Sequence, residues 1–455
     1  MSKSVAFFLI VFFFLAGQVA LAQEEKQQHI VQDLDNYYSL SLKYDVSIVE
    51  LKKANPGISS PKPGDVLIIP RKGEFDEVKE SLDCAKFEVN RNKKYRIALM
   101  IPLYLEHVED SLWSEQLDPE NINEIVPFRF IQFYHGFIMA ADSLRKIGLN
   151  VEINVYDVDH QVAKVSEILM RPELKQMDMI FGPFFKNSFS IAAHFARENQ
   201  ITIINPLSAR TDILQGNPYV FKLLPSADSQ PAIVAELCRR EFYDHNIILY
   251  TPNKFQNQEL IFEIKLAIEK TDPSGMQRVA VVDYLTDSIH GFHKHASLDQ
   301  TNLVIIFAEN EVLPSALLSE LSALKSEFEI SVIGLPEWDK FNNLESNYLI
   351  SLKAHIFMSA YTDLRSDHNK DFIRAYRQRF MDEPLNYAYS GFDAAYFFLS
   401  ALMSYGRDFY RCIDEIHTPL IQNQFQFDHK GNNGYDNVNW NVMQYMGYSL
   451  IKKSL

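Results

Sequence analysis

The sequence predicts an α/β protein in two parts: a small βααβ module, then a larger region of two doubly wound parallel sheets separated by a cleft. Three observations carry this. From residue 95 onward about ten short, continuous apolar runs recur, the pattern of strands buried on both faces. Segments of helical length with a 3.6-residue apolar period separate most of them. Before residue 71 the punctuation differs, with Asn55-Pro56-Gly57 and Pro63-Gly64 breaking a much shorter run of elements.

The bulk numbers fit a folded chain. Of 455 residues, 47% are hydrophobic and 23% charged, which excludes a disordered or collagen-like protein. The 33 Phe, 22 Tyr and 3 Trp supply ample core material. A net charge of −15 argues against a phosphate-neutralising nucleic-acid surface. Three cysteines are too few for a disulfide scaffold, and within a monomer at least one of Cys84, Cys238 and Cys412 stays unpaired.

Residues 1–22 read as a secretory signal. Lys3 precedes an apolar run from Val5 to Gly17, and Ala20-Leu21-Ala22 offers a cleavage site before Gln23. At 1.5 Å per residue that run reaches only about 20 Å of a hydrocarbon core of about 30 Å, too short for a membrane anchor. No cysteine adjoins the cleavage point to carry a lipid. The expectation is an exported acidic protein of the periplasm or cell envelope, where disulfides are permitted.

The small module occupies 23–71. His29–Gln32 reads as a strand, and Asp35 or Asn36 as the cap of a helix carrying Tyr38 and Leu42. Ser47 caps a second helix, with Glu50 completing a capping box. Val66–Ile69 closes the module as a strand ended by Pro70. His29-Ile30-Val31, Tyr38-Ser39-Leu40, Tyr44-Asp45-Val46-Ser47, Leu51 with Asn55-Pro56-Gly57, and Pro63-Gly64 through Leu67-Ile68-Ile69-Pro70 together resemble the lysin motif, LysM. That resemblance implies binding of peptidoglycan or another N-acetylglucosamine glycan in a groove between two loops. Carried over by position, the first loop is Asp33, Leu34, Asp35 and Asn36, and the second is Asn55, Pro56, Gly57 and Ile58. The first departs from the pattern, with Leu34 in place of the usual glycine and Asn36 in place of the usual threonine. The alternative is a LysM fold that spaces or docks without gripping sugar.

Residues 72–94 are more than half charged and read as a linker. Beyond it, strands are expected at Arg96–Leu103, Val151–Asp157, Met177–Phe181, Ile201–Asn205, Tyr219–Leu224, Asn246–Tyr250, Arg278–Tyr284, Leu303–Ala308, Ile330–Leu335 and Ala354–Ala360. Helices are expected at Phe130–Ile147, Ser188–Glu198, Pro231–Glu241, Gln256–Lys270 and Pro314–Lys325. Ten strands exceed one comfortable open sheet, so two lobes follow, with ligand space outside the carboxyl ends of the strands.

Near the C-terminus, Phe372, Tyr376, Phe380, Pro384, Ala388 and Gly391-Phe392-Asp393-Ala394 form a spaced run. It resembles a hallmark of type 1 periplasmic binding proteins of the leucine/isoleucine/valine-binding class. Ile180-Phe181-Gly182-Pro183, Ile203-Ile204-Asn205-Pro206-Leu207-Ser208 and Phe425-Gln426-Phe427-Asp428 with Gly431 agree in order. The resemblance spans 95–455 and implies two interleaved lobes with three chain crossings. Lobe I is expected at about 95–215 and 352–415, and lobe II at about 216–351 and 416–455.

It also implies a ligand cleft. By position, the candidate residues are Tyr104, Phe184, Phe185 and Lys186, then Ser208, Ala209, Arg210 and Thr211, then Glu309, Glu337, Trp338 and Tyr361. Lys186 and Arg210 could meet an anionic solute while the two phenylalanines fill the pocket. Alternatively, the phenylalanines are packing and the cations pair with nearby acids. Trp338 stacks on a ligand or belongs to the core.

No catalytic signature stands out. There is no G-x-S-x-G elbow, and Gly182–Ser188 lacks the elements of a phosphate loop. His293 and His295 are two apart, the wrong spacing for a helical metal pair, and read as a solvated loop. No metal or cofactor is expected. The function expected is non-enzymatic: a peptidoglycan-associated periplasmic solute-binding protein, in its finer form the amino-acid-type substrate-binding protein of an ABC transporter, with a transport protein as partner. The alternative is a cell-wall scaffold or regulator of peptidoglycan synthesis, because activators of penicillin-binding proteins use the same two-lobe fold.

Overall fold

The computed structural model describes residues 27–32, 35, 37–44, 46, 48–58, 61–70, 84, 93–105, 130–253, 257–272, 278–336 and 338–453. The expected signal segment and Ser47 lie outside them. The chain forms two compact units, residues 1–80 and 81–455. Among the described residues, no helix is long and apolar enough to cross a membrane.

The first unit is β1 (Gln28–Ile30), α1 (Tyr37–Tyr44), α2 (Ile48–Ala54) and β2 (Val66–Ile68). The two strands pair antiparallel, His29 opposite Leu67. Its core is small: Val31, Tyr37, Leu40, Val46, Leu51, Leu67 and Ile69. With so little apolar area, polar bonds carry much of the specification.

The second unit follows as β3 (Tyr95–Ile101), α3 (Ile131–Lys146), β4 (Val151–Asp157), α4 (Val162–Leu169), β5 (Met179–Phe181), α5 (Lys186–Asn199), β6 (Thr202–Asn205) and β7 (Val220–Lys222). Then come α6 (Gln230–Glu241), β8 (Asn246–Thr251), α7 (Gln258–Thr271), β9 (Val279–Asp283), α8 (Tyr284–Asp287), α9 (His290–His295), β10 (Asn302–Phe307), α10 (Val312–Ala323), β11 (Ile330–Leu335), α11 (Ser346–Ser351) and β12 (His355–Met358). The chain closes with α12 (Asp367–Phe380), α13 (Asn386–Tyr405), β13 (Phe427–His429), β14 (Tyr435–Asn437), β15 (Asn441–Met446) and β16 (Ser449–Lys452).

Two seven-stranded sheets result, ordered β13-β14-β7-β6-β5-β3-β4 and β16-β15-β12-β11-β10-β8-β9. In each, the five strands formed first run parallel and the last two return antiparallel to one another. The alternation that drives this is visible in β3. Ile97, Leu99 and Ile101 face α3 and α13, while Ala98 and Met100 face α4 and α5. In the second sheet β8 divides the same way, Ile248 and Tyr250 against Ile247 and Leu249. Strands covered on both faces must be apolar throughout.

Sheet membership differs from the sequence-based lobe limits. β7 belongs to the first sheet and β12 to the second, and β13 and β14 return to the first before β15 and β16 join the second. Chain crossings therefore fall after β7, after β12 and after β14. The displaced limits have a physical cause: a crossing can occur only after a strand has completed its ladder. β14 pairs with β7 so that Asp436 stands opposite Lys222. That lysine is fully buried, its Nζ 2.5 Å from Asp436 Oδ1 and 2.5 Å from the Leu224 carbonyl oxygen. His293 and His295, expected in a loop, lie on the short helix α9 because Phe292, which precedes them, is buried and anchors that turn.

Cys84 is disulfide-bonded to Cys412, and Cys238 is a buried free thiol on α6. His355 on β12 is 1% exposed, and burial pulls its pKa down to about 4 despite the nearby Glu241, with Lys453 opposing that carboxylate. The unfolded state binds the proton first as pH falls from about 6.5 to about 4, so this residue's contribution to stability declines across that window. Urea unfolding of His355→Leu is expected to show a shallower acid loss than the parent between those pH values; parallel curves would exclude the effect.

Candidate functional site

In the first unit two of the eight loop residues expected to touch glycan, Asp35 and Asn55, are largely occupied with holding the fold. Asp35 Oδ2 accepts from His29 Nε2 at 2.7 Å and from the Gln32 N–H at 2.9 Å, and the backbone donor is the main cause of its lowered pKa. The Tyr44 hydroxyl meets the other ring nitrogen of His29 at 2.8 Å. Asn55 is 7% exposed and makes three 2.8 Å bonds, donating to the Leu51 and Ile68 carbonyls and accepting from the Ile68 N–H. Tyr37, which the sequence did not single out, donates its hydroxyl to the Ile58 carbonyl at 2.6 Å and so ties the start of α1 to the second loop. Pro56 and Gly57 are exposed. Asp33, Leu34 and Asn36 lie outside the described residues.

In the second unit the candidate cleft residues sit at the carboxyl ends of strands. The loop after β3 is built by a carboxylate. Asp157, last residue of β4, accepts the N–H groups of Leu103 and Tyr104 at 2.9 Å and of Leu105 at 2.8 Å. This holds Tyr104 at φ 53°, a backbone conformation that non-glycine residues seldom adopt. The loop after β6 is built by an amide. Asn205 Oδ1 accepts from the N–H groups of Leu207 and Ser208 at 3.0 and 2.8 Å. Its Nδ2 is buried and finds no partner among the described residues.

Phe184 is 6% exposed and belongs to the lobe I core, edge-on to Phe130 at 5.3 Å and Phe133 at 4.9 Å. Phe185 packs against the same core, its ring 6.2 Å from that of Phe130. Lys186 and Arg210 converge on one acid. Asp212 takes two bonds from Arg210, at 3.1 and 2.7 Å, and lies 3.2 Å from Lys186 Nζ. The Arg210 bonds are the main cause of an Asp212 pKa of about 2, so the group stays ionised across the physiological range. Ser208 Oγ accepts the Arg210 N–H at 3.2 Å, and Ala209 is exposed beside it.

Across the domain, Glu309 is exposed and accepts from Asn257 Nδ2 at 2.8 Å. Trp338 is 2% exposed and lies over Gly334, where a Cβ would stand 2.1 Å from the indole. It is a core residue of lobe II in this conformation. Glu337 lies outside the described residues. The Tyr361 N–H donates to the Gln422 carbonyl at 3.2 Å, at the second crossing.

The candidates are thus spread over separate depressions. Lys186 lines a cavity of about 230 Å³ with Ser190, His194, Arg197 and Asp212. Thr211 lines one of about 300 Å³ with Ser226, Asp228, Asp428 and Asp436. Tyr361 lines one of about 330 Å³ with Asp363, Asn423 and Lys452. Asp157, Asn205 and Asp212 were missed as site-forming residues. A polar residue ending a buried strand was the only signal for the first two, and nothing in the spacing marked the third. Among the described residues, no group of acidic, His or Cys side chains is arranged to hold a metal.

The profile of a family described as periplasmic binding protein matches residues 132–411. The chain belongs to that family. A LysM domain profile matches residues 29–70. Among solved structures, a putative branched-chain amino acid ABC transporter protein from Rhodospirillum rubrum is 13% identical, with a TM-score of 0.55. That match covers 79% of this chain and all of the other. Full-length LpoA from Haemophilus influenzae is 9% identical, with a TM-score of 0.50 over 82% of this chain and 60% of its own. Both likenesses are of fold. No curated protein matches the sequence. In this binding-protein domain the two sheets are the lobes, and the spaced run from Phe372 to Ala394 proves to be α12 and the first half of α13, packed in lobe I.

Proposed function

We propose that the protein is a non-enzymatic binding protein of the periplasm or cell envelope, exported by a cleaved signal. Its LysM module attaches to peptidoglycan or another N-acetylglucosamine glycan. Its two-lobe domain closes by hinge motion on a small polar solute. The supporting observation is Asn205 Nδ2, a buried donor at the cleft end of β6. An unpaired buried donor costs about 1–3 kcal/mol, a cost that a bound acceptor removes. An amino-acid-type ligand delivered to a transport partner is the finer form of this reading.

A second reading, a wall scaffold or regulator that takes no nutrient, is favoured by Asp212. It neutralises both cations that an anionic solute needs, and Phe184 is committed to the core. Thermal melting over a metabolite panel separates the two, because a ligand at 100 times its Kd adds about 2.7 kcal/mol to the native state. The solute reading predicts a rise of several degrees with at least one compound. Asp212→Asn, which frees Lys186 and Arg210, is expected to raise the response to carboxylate solutes. A flat panel for both proteins, with wall-synthesis proteins recovered on pull-down, decides for the scaffold. Wall attachment is checked by sedimentation with peptidoglycan, which deletion of 23–71 should abolish.

A further inference from the structure

We propose that the cavity at the second crossing is a binding site for a small organic carboxylate, held by Lys452, Arg365 and Gln424. It is a second site, apart from the solute cleft proposed above, and does not depend on that reading.

The cavity holds about 330 Å³, at the lower end of the pocket sizes that take organic ligands. Three chain segments build it. Residues 420–424 belong to lobe I, where Asp393 of α13 accepts the N–H groups of Ile421, Gln422 and Asn423. Ile451 and Lys452 come from β16, the edge strand of the lobe II sheet. The crossing itself supplies Tyr361 and Arg365, and the Tyr361 N–H ties it to the Gln422 carbonyl. Four strand spacings separate β16 from β10, the strand that leads to Glu309, or roughly 19 Å. Asn205 does not line the cavity.

Its charge runs against that of the chain. The protein carries −15 overall, yet here Lys452 and Arg365 face a single carboxylate, Asp363. Asp363 is already engaged, accepting the Arg365 N–H at 3.0 Å and its Nε at 3.4 Å. The two terminal nitrogens of Arg365 keep no partner among the described residues. Lys452 likewise has no acid beside it among the described residues, and desolvation alone lowers its pKa. Even the fully buried Lys222 is given a carboxylate, Asp436. The Gln424 side chain is exposed, and its amide makes no hydrogen bond among the described residues.

A crowded ammonium with no counter-charge is stabilised by an anion that replaces the lost water. A carboxylate also suits the paired terminal nitrogens of a guanidinium. Leu420, Ile421 and Ile451 add apolar wall beside these donors, which an inorganic anion leaves uncovered. The cavity therefore fits a carboxylate with a hydrocarbon body better than phosphate. Because its donors come from both lobes, an occupant favours the hinge angle at which they converge.

The test adds 3-phenylpropionate to the full chain, with 3-phenylpropionamide as the neutral counterpart. Calorimetry is expected to show saturable binding of the acid, weaker binding of inorganic phosphate and none of the amide. Hydrogen exchange should slow together in 361–365, 420–424 and 449–452 when the acid is bound. Lys452→Met and Arg365→Gln alter exposed side chains, and each should weaken binding roughly tenfold or more, the loss of one charged hydrogen bond. Lys452→Arg should restore most of the affinity. Absence of saturable binding overturns the site, as does equal binding of acid and amide or affinity that Lys452→Met leaves unchanged. Phosphate bound as tightly as the acid overturns the assignment to an organic carboxylate. Protection confined to 184–187 and 206–211 would put the anion in the cleft, overturning this site while leaving the solute reading intact.

Discussion

Replacing Asp393 by alanine is expected to cost about 4 kcal/mol of stability. Asp393 lies on α13 with no exposed surface. Its Oδ1 accepts the Ile421 N–H at 2.7 Å, and its Oδ2 accepts the N–H groups of Gln422 and Asn423 at 2.9 and 2.7 Å, together with Asn423 Nδ2 at 3.0 Å. Alanine leaves these donors facing a void, at about 1–3 kcal/mol for each that water does not reach. Asparagine keeps one acceptor oxygen and is expected to cost only about half as much. Gln422 also accepts the Tyr361 N–H, so the alanine variant should loosen the second crossing as well. Guanidinium unfolding and amide exchange at residues 421–423 check both effects. Equal stability of alanine and asparagine variants would refute this account.

The proton on Asp393 moves in the opposite sense to that on His355. Burial raises its pKa to about 6 against the hydrogen bonds that favour the carboxylate. The folded state therefore keeps a proton that the unfolded state loses between about pH 4 and 6. Its contribution falls as pH rises through that window and is constant above it. The two residues offset one another in the parent, so each pH effect is legible only against its own variant.

Gly136→Ala and Gly391→Ala are each expected to cost about 3 kcal/mol. These glycines let α3 and α13 touch backbone to backbone. A Cβ on Gly136 would meet the Ala388 carbonyl oxygen at 1.9 Å, and one on Gly391 would meet that of Phe133 at 2.1 Å. Alanine gains about 1 kcal/mol in helix propensity, but neither backbone can yield without moving a whole helix, so overpacking wins. The double variant should cost much less than the sum, because the first substitution already forces the helices apart. Thermal and denaturant melts read this directly, and additive losses would show that the helices do not share the contact.

These two residues explain why lobe I was legible. Gly391-Phe392-Asp393-Ala394 stands out because one position needs no side chain and another needs a carboxylate. The strands were legible for a related reason, since a run such as Leu303–Phe307 is apolar at every position only when both faces are covered. The candidate site was far less so. Phe184 reads identically as a pocket wall or a core residue until the rings of Phe130 and Phe133 are in place. Lys186 and Arg210 read as free cations until Asp212 is found between them.

The amino-acid sequence by itself determined the α/β class, the LysM module, the binding-protein family and the apolar strands, because periodicity, turn chemistry and forced small residues are local or nearly so. Only the tertiary structure decided where the chain crosses between lobes, which cysteines join across 328 residues, and which charges are already neutralised. Those outcomes depend on groups distant in the chain meeting in space. Asp212 beside Lys186 and Cys84 against Cys412 leave no periodic trace in the residues around them.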